Sequence, residues 1–237
     1  MSRRSPGASL VRAVYRALDR AYDYEAWHWS PARLRAPFDV IGGAVLVQHT
    51  TWANAERALD GLRAAGALDS RALAALPEER IAGLVRVSGT PTVKARRLRA
   101  VAAAVERAGG LGALFALPTG ALRAALLAMH GIGPETADAI LLYAAGRRVF
   151  EVDAYAQRLF RRLGAGPEGA GYAAWQHWFE GALPDADVEA FRRYHAYIVM
   201  HAKQLCRATP VCVPCPLLPR CAEGRRRTSG VPAAAAP

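Results

Sequence analysis

The sequence predicts an all-α protein, on three observations. Apolar residues recur at three- and four-residue spacing along most of the chain. Short Gly, Pro and Asp punctuation separates these stretches. No run alternates apolar and polar residues as a half-buried strand does.

Taken in order, Leu10, Val11, Val14, Tyr15 and Leu18 form one apolar face of a first helix. Helices are expected next at about 38–49 and 52–65, the second stopped by Gly66, and at 92–108, between Gly89-Thr90-Pro91 and Gly109-Gly110. Pro118 opens a helix to about 129. Pro134 suits the first turn of one over 135–146, where its missing N–H costs nothing. Asp153 is placed to cap a helix over 154–163, ended by the Gly164 to Gly171 stretch. Two more follow at 171–182 and 187–205. Residues 224–237, with three consecutive arginines and a terminal VPAAAAP, read as a disordered tail.

With 237 residues, 52% of them hydrophobic and 22% charged, the chain is long enough and apolar enough to fold. Its formal net charge is +11, and all of the 31 Lys+Arg but Lys94 and Lys203 are arginine. Such a balance points first to a polyanionic partner, nucleic acid, although a merely basic protein or one touching acidic membranes has the same sign. No stretch is apolar for the roughly 18 residues of a membrane span. The start lacks the apolar core of a secretory signal, and Asp19 and Asp23 argue against a transit peptide. A cytoplasmic location is the expectation.

All four cysteines, Cys206, Cys212, Cys215 and Cys221, fall in CRATPVCVPCPLLPRC. Disulfides suit a chain without a secretion signal poorly. Zinc sites usually join two tight pairs spaced well apart, whereas here one tight pair lies between two longer arms. Four thiolates in one compact loop suit a cubane 4Fe-4S cluster, with zinc as the alternative.

Gly131-Ile132-Gly133 joins two amphipathic helices, a turn in which glycines let a phosphate approach backbone amides at a helix's positive end. An ordinary helical hairpin has the same outline. Together with AVLVQHT (44–50), VKARRL (93–98), HGIGPETADAILLYA (130–144), VFEVDAYAQRL (149–159) and the cysteine loop, the chain resembles the endonuclease III branch of the helix-hairpin-helix (HhH-GPD) DNA glycosylases over about residues 37–221. Within that superfamily it looks most like a bacterial subgroup related to the endonuclease III-like 3-methyladenine DNA glycosylases. The first cysteine arm is one residue shorter than is usual for the family.

The resemblance implies two all-α domains: a six-helix domain over 37–149, and a second built from residues 1–36 and 150–223 with the cluster loop. It implies a base-excision-repair enzyme of the bacterial cytosol or nucleoid, acting as a monomer on double-stranded DNA. The damaged nucleotide would be flipped out, since its glycosidic bond is out of reach inside the stack. Asp153 matches the catalytic aspartate, which stabilises positive charge developing on the sugar; capping 154–163 is its bland alternative. Glu135 stands where bifunctional relatives carry the lysine that forms a Schiff base with the sugar. A carboxylate forms no imine, so the expected reaction is hydrolysis of the N-glycosidic bond without strand cleavage. For Glu135 itself the alternative is a favourable contact with the helix dipole.

Gly131, Ile132, Gly133, Gln48 and Lys94 are the expected DNA contacts, Gln48 filling the gap of the flipped nucleotide and Lys94 touching phosphate. A base pocket is expected from Trp29, Trp52 and Lys203, whose aromatic faces would stack an electron-poor alkylated purine; tryptophans are as often core. Thr90 stands where endonuclease III inserts a bulky apolar wedge. Two other readings stay open: a glycosylase/abasic-site lyase for oxidised pyrimidines using a substitute amine, and a non-catalytic iron–sulfur DNA-binding protein.

Overall fold

The computed structural model describes residues 6–27 and 36–229. Among them the chain is helical throughout, with no strand. In order the helices are α1 (Pro6–Asp19), α2 (Pro37–Leu46), α3 (Trp52–Ala64), α4 (Ser70–Ala75), α5 (Glu78–Val85), α6 (Pro91–Arg107) and α7 (Gly110–Ala116). They continue with α8 (Thr119–Leu127), α9 (Pro134–Ala139), α10 (Ala154–Leu163), α11 (Tyr172–Ala182), α12 (Val188–Gln204) and α13 (Ala222–Thr228). No helix among the described residues is long and apolar enough to cross a membrane.

The chain divides into two compact units, one of residues 28–148 and one of residues 1–27 with 149–237. In the 28–148 unit, α6 packs on α4 and α5, α3 on α2 and α5, and α8 on α9. Ile41, Leu46, Leu62, Leu73 and Leu98 are buried at its centre. A π-helical turn, Ile140–Ala144, follows α9 and packs on α2.

In the other unit α12 packs against α1 and α10, and α1 also against α11. Its core is aromatic: the Phe150 and Phe179 rings stack at 4.4 Å, and Phe191 meets Phe150 edge-on at 5.3 Å. Phe160 and Trp175 complete it, all but excluded from solvent. Two polar bonds fasten α1 to this core. The Tyr194 hydroxyl donates to the Val11 carbonyl at 2.8 Å, and Arg12 donates to the Ala182 carbonyl at the end of α11, at 2.7 Å.

Three short helices escape the sequence pattern: α4, α5 and α7 have six, eight and seven residues. Each spans about two turns, too few to establish a period. A cap starts α4, where the Asp69 carboxylate accepts the Ala72 amide at 2.8 Å. The first-domain helix ends at Leu46 rather than near 49, since His49 takes a left-handed φ of 56°. The expected tail also needs correction. Residues 222–228 are helical, with Gly224 buried and its amide on Cys221 Sγ at 3.2 Å. The expected tail beyond 229 lies outside the described residues.

Phe179→Ala empties the centre of the aromatic core and is expected to cost about 3–5 kcal/mol. Urea denaturation followed by the fluorescence of neighbouring Trp175 and Trp178 measures it. Val213→Ala, at a position 59% exposed, is the control, expected within about 0.5 kcal/mol of the parent.

Candidate active site

In the 28–148 unit, α8 and α9 form a hairpin whose turn the sequence places at Gly131-Ile132-Gly133. The two glycines do different work. Gly131 has φ 87°, and a Cβ there would stand 2.5 Å from Arg97 Cγ, so the fold itself demands glycine. Gly133 is extended, with φ −92° and ψ 178°, and a Cβ there would meet nothing within 4 Å. Nothing in the folded chain requires a glycine at 133. What it provides is bare, exposed backbone at the start of α9.

Ile132 is buried, and its amide closes the turn on the Met129 carbonyl at 3.1 Å. Its side chain therefore anchors the loop. Across the hairpin, Arg123 holds the fully buried Asp138 with two bonds, at 2.7 and 3.0 Å. Glu135 is exposed in the first turn of α9.

Gln48 reaches this turn from the other side. Its amide donates to the Gly131 carbonyl at 3.3 Å and to Thr136 Oγ1 at 3.2 Å, while Arg97 donates to its Oε1. Thus Gln48 braces the hairpin from the segment that also holds the strained His49.

Lys94 corrects the sequence reading. It is 2% exposed, and its ammonium donates to the Leu46 carbonyl at 2.7 Å and to the Ser88 carbonyl. Burial, with Arg97 adding to it, lowers its pKa from the ordinary lysine value. The VKARRL pattern shows a basic helix face, but Lys94 falls on the apolar side between Ala95 and Leu98. It ties α2 to the turn before α6 and does not face phosphate. Trp52 is half-buried, its ring against α2 where a Cβ on Gly43 would stand 3.1 Å from Trp52 Cη2. Trp29 lies outside the described residues.

Asp153 belongs to the other unit. It caps α10, its Oδ1 accepting the Ala156 amide at 2.7 Å, and is only 7% exposed. Its Oδ2 stands 3.6 Å from His195 Nε2, and the far ring nitrogen, Nδ1, is 3.6 Å from Glu151 Oε2. Neither Glu151 nor His195 was expected from the sequence. The available signal was the E-V-D alternation, which on an extended run turns both acids to one side.

Lys203 lies on α12 with its side chain exposed. The protein around its amine lowers its pKa from the ordinary lysine value, and the Asp153 charge opposes that shift.

The four cysteines line one cavity together with His201 and Arg162, and all four are free thiols. Among the described residues no three His, Cys, Asp or Glu side chains are gathered closely enough to hold a single metal ion. N–H donors meet two sulfurs: Arg162 Nη1 lies 3.3 Å from Cys206 Sγ, and the Gly224 amide 3.2 Å from Cys221 Sγ. Burial, and the negative charge each thiolate places on the others, raise the pKa values of Cys212 and Cys215. A cationic centre in the cavity would offset that repulsion, so the residues fit a group bound by four thiolates.

Two substitutions separate the roles of the glycines. Gly133→Ala is expected to leave thermal stability unchanged and weaken DNA binding, while Gly131→Ala lowers both, costing about 1 kcal/mol of stability or more. Calorimetry and DNA titration measure the two effects. Lys94→Met leaves two buried carbonyls without a donor and is expected to cost about 1–3 kcal/mol. The salt dependence of DNA binding stays as in the parent, whereas loss of a true phosphate contact lowers its slope by about one.

Comparison with known proteins shows the family. A family model for HhH-GPD superfamily base excision DNA repair proteins matches residues 43–183. A protein of Methanocaldococcus jannaschii assigned as a DNA repair glycosylase is 39% identical over 215 residues, covering 90% of this chain and 96% of that one. The H. pylori 3-methyladenine DNA glycosylase, solved bound to 1,N6-ethenoadenine, superposes with a TM-score of 0.70 at 27% identity, over 84% of this chain and 97% of its own. Endonuclease III, solved in a non-covalent complex with DNA, shares the fold with a TM-score of 0.75 at 22% identity, over 94% and 98% of the two chains. Sequence, hairpin and relatives converge: the chain belongs to the HhH-GPD superfamily of base excision DNA repair proteins and is a DNA repair glycosylase.

Proposed function

We propose that this glycosylase is monofunctional, hydrolysing the N-glycosidic bond of an alkylated purine such as 3-methyladenine. The observation that carries the reading is Glu135, exposed in the first turn of α9, at the position of the imine-forming lysine in bifunctional relatives. The chain has two lysines, and Lys94 is enclosed between carbonyls. Water then serves as nucleophile, and an abasic site is the product.

In this reading the exposed amides around Gly133 take a phosphate at the start of α9, and Gln48 leaves its place at the hairpin to fill the gap of the flipped nucleotide. Asp153 faces the sugar. A carboxylate excluded from water and fixed by the Ala156 amide stabilises oxocarbenium character without reorganising. The choice of an alkylated purine rests on the H. pylori relative and on the half-buried Trp52, an aromatic side chain of the kind that stacks an electron-poor base; Trp29 and Lys203 are its proposed companions. We assign Cys206, Cys212, Cys215 and Cys221 as the holders of a 4Fe-4S cluster, which would serve a structural role by offsetting part of the charge of four thiolates and fixing their loop.

One observation favours a second reading. Lys203 pairs an exposed side chain with a lowered pKa beside Asp153, the properties of a nucleophilic amine. It would give a glycosylase/lyase of the endonuclease III type.

Base release is measured side by side from duplexes holding 3-methyladenine, thymine glycol or a mismatch. Release from the first alone is expected, with Asp153→Asn slower by about 10²- to 10³-fold. Borohydride yields no trapped enzyme–DNA adduct; an adduct abolished by Lys203→Ala establishes the second reading instead. Binding to abasic DNA without any base release marks a non-catalytic protein. Anaerobically purified protein is expected to be brown, with four irons and four sulfides per chain by the cubane stoichiometry; bound zinc alone overturns the cluster.

A further inference from the structure

We propose that His195 is a positioning residue for Asp153, held as an imidazolium between Asp153 and Glu151. This inference rests on the reading of Asp153 as the catalytic carboxylate.

The geometry begins with the extended run 149–153, which α11 fastens at three points. Glu180 Oε1 accepts the Phe150 amide at 2.9 Å, and Gln176 donates to the Phe150 carbonyl at 3.0 Å. The Val152 amide donates to the Tyr172 hydroxyl at 3.3 Å. With the backbone fixed, side chains alternate: Phe150 and Val152 enter the core, while Glu151 and Asp153 turn together toward α12. There they meet one imidazole from opposite ends, each carboxylate 3.6 Å from its ring nitrogen. All three residues are buried, at 5%, 7% and 3% exposure for Glu151, Asp153 and His195. The Trp27 ring closes one side of the imidazole, edge-on at 6.0 Å and 83°.

Only a doubly protonated ring presents an N–H to both carboxylates; either neutral tautomer turns a lone pair toward one of them. At 3.6 Å the contacts are ion pairs rather than full hydrogen bonds, and the low dielectric of the interior strengthens them. Without the positive ring, two carboxylates enclosed in one site repel each other. An imidazolium between them offsets that repulsion and leaves the trio with one net negative charge, the sign needed opposite a cationic sugar.

Charged groups on the neighbouring helices have partners of their own. Arg158 of α10 donates to the Ala202 and Cys206 carbonyls, and Glu180 of α11 holds the Phe150 amide. Lys203 of α12 also senses the Asp153 charge, but its side chain is exposed.

Two measurements test the inference. Nitrogen-15 NMR of histidine-labelled full-length protein at pH 7, with the His195 signal identified by its loss in His195→Gln, is expected to show both ring nitrogens protonated. In Glu151→Gln the ring is expected to be neutral. A neutral ring in the parent overturns the proposal, and this arm needs no catalysis. The second measurement is single-turnover release of methylated purines from randomly methylated duplex DNA. Glu151→Gln and His195→Gln are expected to lose about tenfold or more in rate, with unchanged binding to a duplex holding a tetrahydrofuran abasic analogue. Parent-like rates in both variants, with Asp153→Asn inactive, overturn the inference alone. Full activity of Asp153→Asn removes the underlying reading, and the NMR result then judges the trio by itself. Should one variant melt below the assay temperature, the isosteric Glu151→Gln and the parent spectrum still decide.

Discussion

The bonds from α11 to residues 149–153 are the constraint on which the unit holding Asp153 depends. An extended segment inside a helical protein has no ladder of its own, so its buried amides and carbonyls need side-chain partners. Glu180, Gln176 and Tyr172 supply them. With those bonds in place, one face of the segment nucleates the aromatic core through Phe150, and the other delivers two carboxylates to α12. The core and the site are two faces of the same five residues, so neither can shift without the other.

The 28–148 unit follows the same rule with different partners. Where its helices stop short, polar side chains take the orphan carbonyls: Lys94 those of Leu46 and Ser88, Arg147 that of Phe115 at 2.6 Å. Gln48 does the same for the left-handed Gly131. In this way the hairpin is held by long side chains from α6 and the α2–α3 turn, and by the Arg123–Asp138 pair across it. A basic composition that looks built for a polyanion is thus partly used internally.

Much of this was legible in the sequence, for reasons that can be named. The Asp153 cap was readable because Asp is favoured before a strongly amphipathic run. The hairpin was readable because Gly-Ile-Gly-Pro between two helices has few other uses, and the long helices because their periods repeat. Lys94 was misread because a lysine shortly before the Arg96-Arg97 pair looks solvent-facing until the helix phase is known. Glu151 and His195 lie far apart along the chain and meet only through the packing of α12. The short helices α4, α5 and α7 are held by packing on α6, with a side-chain cap at α4 alone, and leave no period to find.

Helix α10 has one further consequence. Asp153 caps its first turn, while Arg158 at its middle and Arg162 in its last turn both grip the Cys206 carbonyl, at 2.9 and 3.2 Å. Ten residues of helix make a stiff rod of about 15 Å. The cysteine loop is thus fastened to the far end of the lever that carries the carboxylate. The loop and the Asp153 cap thus share one stiff helix, so a displacement at either end is carried to the other.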